Sequence, residues 1–340
     1  RKSVDNMYRL IWGYTAQGDY KKAIDLANDF LSTQLDADLT PRALLVQGYA
    51  FNKLGKLPEA FASYQLVVEN FPATPYAAKA TQLAAMNYYR AGQFKAVTTQ
   101  VNSLWESIDN GVRNHYPETL YWLAQAHLKL RHGDEAESLF KEFAKVAPPR
   151  HPWLPQALRA QALASALGKS SETALPILQR AYQNASDIGD RALMGKLTLD
   201  MANISFNAKK YEKAAGFYRQ MEQVDPKNEK LPFALFQGGV ALYRSSYYTD
   251  AIDNSMKLVR QFPKDPRAPD ALFRASKTWF DLAKFTEAIA GFEDLMRNYP
   301  LTDFAKDSLL QIGQAYYNDK NFTKAIDTYK DFLTKYPRDP

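Results

Sequence analysis

Ala214, Ala251, Ala288 and Ala325 follow one another at intervals of 37 residues. Each stands three residues after an aromatic (Tyr211, Tyr248, Phe285, Phe322) and twelve before a proline (Pro226, Pro263, Pro300, Pro337). Three markers in one register make an internal repeat. A repeat constrains a fold more than composition does, because a unit too short to bury its own core must stack on its neighbours. Carried backwards, the register reaches Ala23, Ala60, Val97, Ala136 and Ala174, with intervals of 37, 37, 39 and 38, then 40 to Ala214. Nine units result, and extra residues make the middle ones irregular around 107–118 and 148–155.

Each unit resolves into two amphipathic helices. In the last, Leu309, Ile312, Gly313 and Tyr316 share one helical face at i, i+3, i+4, i+7. The polar link Asn318-Asp319-Lys320-Asn321 then leads to a second helix carrying Phe322, Ala325, Tyr329 and Phe332. Tyr336-Pro337 ends it, since proline cannot continue a helix and pushes its predecessor towards extended geometry. The first helices hold a small residue at one recurring place: Gly48, Ala85, Ala124, Ala202, Gly239, Ser276 and Gly313. Small residues there and at the Ala325-type position let the paired helices approach closely, with Tyr or Phe closing the seam. A helix of about 14 residues is marginal alone in water, so stacking supplies the stability.

These residues resemble the tetratricopeptide-repeat family, whose pattern of large apolar, Leu, Gly/Ala, Tyr, then Ala, Phe/Tyr and Pro they follow along essentially the whole chain. The pattern departs at Val97, at Ser255 where an aromatic is usual, and across 148–184. The resemblance implies an all-α, right-handed superhelical solenoid of about nine helix-turn-helix repeats. Within it we expect an N-terminal regular stretch over 1–106, an irregular middle over 107–190 and a C-terminal regular stretch over 191–340. The period exceeds the 34 residues usual for the family. It comes with hinges such as Phe71-Pro72-Ala73-Thr74-Pro75, Phe262-Pro263-Lys264-Asp265-Pro266 and Tyr299-Pro300-Leu301-Thr302-Asp303. These look like the periplasmic BamD-like and YbgF/CpoB-like proteins of Gram-negative bacteria, adaptors of the cell envelope, although this chain is longer than their repeat domains.

Composition narrows the function. The chain has no cysteine, which excludes disulfides, thiolate zinc sites and cysteine nucleophiles. A net charge of +6 over 340 residues, with both signs interleaved, reads as a solvated surface and not a nucleic-acid footprint. No stretch approaches the roughly 20 apolar residues of a membrane span. The chain starts at Arg1 without Met, and we read it as a processed or trimmed piece whose leader or lipid anchor would lie outside it. There is no Gly-x-Ser-x-Gly elbow, Walker loop or His-Glu-x-x-His. Carboxylates such as Glu135, Glu137, Asp250 and Asp253 fall on expected helix exteriors, so neither an enzyme nor a catalytic residue is expected. His115, His127, His132 and His151 cluster in sequence. The five-residue step from His127 to His132 is not the i, i+4 spacing of ligands on one helix, and no metal or other cofactor is expected.

The family resemblance places binding on the first helices. Residues three before, one after and four after the small position should face a partner: Phe236, Val240 and Tyr243; Phe273, Lys277 and Phe280; Leu310, Gln314 and Tyr317. The competing reading is that these rings pack between adjacent units. An aromatic groove with scattered polar groups suits an extended peptide or an amphipathic helix. It does not match the carboxylate-clamp subtype, because Leu199 stands where a lysine is needed even though Asn203 fits. The sequence therefore points to a protein-binding scaffold or adaptor, periplasmic, with association to the outer membrane an open alternative. Its partner would be a segment of an envelope or secretion protein, not nucleic acid. The alternatives are a structural subunit of an envelope machine for secretion or motility, or the repeat domain of a polysaccharide-export chain. A cytoplasmic location stays open.

Overall fold

A computed structural model of the protein describes residues 2–33, 37–168 and 171–337. Among these residues the structure is all-α, with no strand. The helices come as successive hairpins, and their packing divides the chain into two compact units, 1–184 and 185–340.

The first unit opens with α1 (Lys2–Gln17) and α2 (Tyr20–Thr33), then α3 (Leu39–Lys53) with α4 (Leu57–Asn70). The third hairpin pairs α5 (Pro75–Arg90) with a second arm that is not one regular helix. That arm runs as α6 (Phe94–Ala96), a π turn over Val97–Val101, and α7 (Asn102–Ser107). The π turn begins at Val97, the one β-branched residue in the alanine register, which is fully buried. The single-turn α8 (Asn110–Arg113) lies in the 107–118 insertion and packs on α5. Then come α9 (Glu118–Lys129) with α10 (Gly133–Val146), and α11 (Leu154–Gly168) with α12 (Ser171–Asp187), which runs across the division between the units.

The second unit is regular. It contains α13 (Arg191–Asn207) with α14 (Tyr211–Val224), and α15 (Leu231–Arg244) with α16 (Tyr248–Gln261). After these come α17 (Ala268–Asp281) with α18 (Phe285–Asn298), and α19 (Asp303–Asn318) with α20 (Phe322–Lys335).

The turn inside most hairpins has one chemistry. After α17, the Ala283 N–H donates to Phe280 O and the Lys284 N–H to Trp279 O, both at 2.9 Å, which satisfies two orphan carbonyls of the helix end. This pair of bonds requires a left-handed residue. Gly18, Gly55 and Gly92 supply it in the first three hairpins, but Arg131, Lys209, Ser246, Ala283 and Lys320 take it elsewhere, with φ of 57–64°.

The core is a run of satellite clusters between hairpins, each small because each unit is small. The register alanines Ala23, Ala60, Ala136, Ala174, Ala214, Ala251, Ala288 and Ala325 are all buried. Four residues on, Tyr64, Phe140, Tyr218 and Phe292 are buried rings. The ring of Tyr64 lies directly over Gly48, where a Cβ would come 2.5 Å from Tyr64 Cε1, and Tyr329 lies over Gly313 in the same way.

Candidate functional site

In the second unit the exception to the ring-on-small-residue rule is the hairpin of α15 and α16. Ser255 stands where the other hairpins of this unit carry Tyr218, Phe292 and Tyr329, and it faces Gly239. The first hairpin is also small at this place, with Ala27, but there Ile11 and Phe30 fill the core beside it. Gly239 and Ser255 instead pack directly on each other: a Cβ at 239 would come 2.9 Å from Ser255 Oγ. A cavity of about 470 Å³ opens above them.

Four of the nine residues expected to face a partner line this cavity: Val240 and Tyr243 from α15, Phe273 and Lys277 from α17. Ala251 and Ser255 form one wall and Phe304 of α19 another, while Arg244, Asp270 and Arg274 stand around it. Most of its lining is apolar, and three cations, Arg244, Arg274 and Lys277, stand around it against the carboxylates of Asp270 and Asp281. Arg274 Nε bonds Asp270 Oδ1 at 2.8 Å, one helical turn apart, and the Arg274 guanidinium lies 5.6 Å from the Phe236 ring centre. Lys277 pairs with Asp281 at 3.2 Å and places its ammonium 4.2 Å from the Phe280 ring centre. Arg244 stacks on Tyr211 and Phe206 and donates to the Tyr211 hydroxyl at 2.7 Å. The Tyr243 phenol is held above its ordinary range, first by burial and then by the Asp281 carboxylate beside it.

The remaining expected residues are elsewhere. Phe236 packs with Leu231, Leu235 and Leu258 in the seam between hairpins. Phe280 meets Phe285 edge-on at 5.6 Å, as Tyr243 meets Tyr248 at 5.3 Å and Tyr317 meets Phe322 at 5.5 Å. The position four after the small residue is therefore bound to the aromatic that opens the second helix of the same hairpin. The two sets of rings are partners, not independent layers. Leu310, Gln314 and Tyr317 on α19 are exposed and lie outside the cavity. Phe273 is half-buried and packs on Phe292 and Phe304, at 5.5 Å each, so it serves both the seam and the cavity wall.

Sequence reasoning did not select Gly239, Ser255, Arg244, Asp270, Arg274, Thr278 or Phe304 as site residues. The usable signal was the coincidence of two small residues, Gly239 and Ser255, at opposed register positions. Asn203 is engaged by the Tyr218 hydroxyl at 2.8 Å within its own hairpin. The histidines are dispersed over local partners: His151 Nε2 lies 3.2 Å from Glu118 Oε1, and His115 Nδ1 lies 3.1 Å from Val112 O. His127 and His132 stand 5.5 Å apart ring to ring, and burial lowers the His127 pKa. Among the described residues no group of three or more His, Asp or Glu could hold a metal ion, and no helix is long and apolar enough to cross a membrane.

Comparison with known proteins agrees with this architecture. A tetratricopeptide-repeat family model matches residues 8–78 and 121–187, and a YfiO outer-membrane-lipoprotein model matches 267–340. No curated protein matches in sequence. Among solved structures the apo form of RapI aligns over 97% of this chain and 96% of its own, at 10% identity and a TM-score of 0.51. Aspartyl phosphate phosphatase F from Bacillus subtilis aligns over 98% of this chain and 93% of its own, at 16% identity and a TM-score of 0.46. The first of these likenesses bears on the fold alone. The 37-residue register, the helical hairpins and the matching repeat model agree that this chain is built from tetratricopeptide-type repeats.

Proposed function

We propose that the protein is a non-catalytic adaptor of the bacterial cell envelope that holds a segment of a partner protein on the first-helix face of its C-terminal stretch, 191–340. The observation that carries this reading is the cavity between α15 and α17, whose size falls in the roughly 300–1,000 Å³ range of sites that engulf a ligand group. Val240, Tyr243, Phe273 and Lys277 are its contact residues; Phe236, Phe280, Leu310, Gln314 and Tyr317 extend the surface beside it. Tetratricopeptide proteins commonly mediate protein–protein contacts. The outer-membrane-lipoprotein match over 267–340 and the Pro-rich hinges support a periplasmic setting. The irregular 107–190 segment is, on this reading, a spacer between two regular stretches.

A second reading is a structural subunit of a larger envelope machine, in which a partner helix would stack on the bare Ile326 and Leu333 of α20. Affinity capture from Gram-negative envelope extract separates the two. A partner that exchanges, and is displaced by its own excised peptide, supports the adaptor. Fixed-stoichiometry subunits lost on Ile326→Lys support the machine, and capture of neither overturns the envelope assignment.

A further inference from the structure

The occupant of the α15–α17 cavity is defined by what the protein omits there. At the same register place the second unit inserts its own Tyr218, Phe292 and Tyr329, and the first inserts Tyr64 and Phe140, with Ala27, Val101 and Leu178 in its other hairpins. In two hairpins that ring lies over a glycine, Tyr64 over Gly48 and Tyr329 over Gly313. At Gly239 the glycine is kept and the ring is replaced by Ser255. Gly239 and Ser255 close on each other, a Cβ at 239 coming 2.9 Å from Ser255 Oγ, and the cavity of about 470 Å³ that they border is wide enough to admit an aromatic ring, a socket beside that contact. The rest of the wall is apolar or aromatic: Val240, Ala251, Phe273 and Phe304.

The charge around the socket selects what accompanies the ring. Arg274 and Lys277 are each shared with one carboxylate of their own helix. Arg244, oriented by the faces of Phe206 and Tyr211 and by the Tyr211 hydroxyl, has no carboxylate partner among the described residues. An oriented guanidinium beside an apolar socket favours a carboxylate next to the inserted side chain.

We infer that this socket accepts a single Phe, Tyr or Trp side chain from an extended partner segment, with Asp or Glu within two residues of it reaching Arg244. The partner ring lies against Val240, Phe273 and Phe304, beside the Gly239–Ser255 contact. This deepens the adaptor reading and rests on it, but its test is separable.

The test is a selection from a random 12-residue peptide library on the full chain and on Ser255→Tyr. That variant restores the ring found in the other hairpins of this unit and closes the socket. The wild-type selection is expected to yield aromatics adjacent to Asp or Glu. The best peptide should bind Ser255→Tyr at least tenfold more weakly, about 1.4 kcal/mol, while thermal unfolding of the variant shifts upwards or stays. Arg244→Glu, a surface change that keeps the chain folded, should weaken the acidic peptide similarly and improve its Lys-substituted counterpart. This second variant carries the test should Ser255→Tyr misfold. Selected peptides without aromatics, no enrichment at all, or equal binding to Ser255→Tyr would overturn the inference. If an envelope partner is captured equally well by wild type and Ser255→Tyr, the socket is wrong and the adaptor reading stands. If peptides depend on Ser255 but no envelope partner is captured, the socket stands and the envelope setting falls.

Discussion

At the scale of single residues, packing in this protein turns on glycine–ring pairs. A Cβ at position 48 would meet the ring of a fully buried Tyr64 at 2.5 Å, so Gly48→Ala must displace a side chain that has nowhere to go. The expected cost is about 1–3 kcal/mol, the range for overpacked cores. At Gly216, on the exposed side of α14, an added methyl would have nothing within 4 Å, and Gly216→Ala should stabilise by about 0.5–1 kcal/mol through helix propensity alone. Urea unfolding of the two variants, one losing and one gaining, checks both. The same burial makes Tyr64 a pH reporter. Burial, the largest cause, raises its pKa well above the ordinary value of 10, as it does for Tyr218. The folded chain therefore resists ionisation that the unfolded chain undergoes. Stability is unaffected below about pH 10 and declines as pH rises above it. Asn87 Nδ2 donates to the Tyr64 hydroxyl at 3.4 Å, a long bond. Tyr64→Phe should thus cost about 1 kcal/mol at pH 7 and flatten the alkaline decline, seen as converging urea midpoints between pH 7 and 11.

At the scale of elements, the hairpin turn is the recurring device. Its two backbone bonds need one left-handed residue, which glycine adopts freely and an L-residue adopts at a cost of roughly 1–2 kcal/mol. Ala283 bears that cost at φ 57° with no side-chain hydrogen bond to offset it. Ala283→Gly should stabilise by about 0.5 kcal/mol, the strain relieved less the extra freedom of the unfolded chain, measurable as a raised thermal midpoint. Both arms of the hairpins were legible from the 37-residue register, because alanine and aromatic positions repeat with the helix period. The left-handed residue was not. Where Gly18, Gly55 and Gly92 mark it the turn is visible, but Arg131, Lys209, Ser246, Ala283 and Lys320 share no chemistry that a sequence could advertise. The break in the third hairpin lies between these cases: Val97 is visible as a departure from the alanine register, whereas the π turn that begins there has no signature in the sequence.

At the scale of the whole molecule, the chain behaves as nearest-neighbour stacks, and its packing separates 1–184 from 185–340. Every residue lining the socket belongs to the second unit. A protein comprising residues 185–340 alone should therefore unfold cooperatively and bind the selected aromatic peptide within about threefold of the full chain. Circular dichroism on urea titration, with fluorescence anisotropy for the peptide, would show it; loss of helix in the isolated segment would mean the first unit is needed as a template. Repeat number, hairpin architecture and family were settled by the sequence alone, because period and residue size act locally along the chain. Which of nine candidate residues meet around one space was decided by tertiary structure. Val240, Tyr243, Phe273 and Lys277 come together, while Phe236 sinks into a seam and Phe280 and Tyr317 pair with rings of their own hairpins. The reason is spatial: Gly239 and Ser255 border one cavity whose other walls come from α17 and α19, and no spacing along the chain reports which residues of separate helices share it.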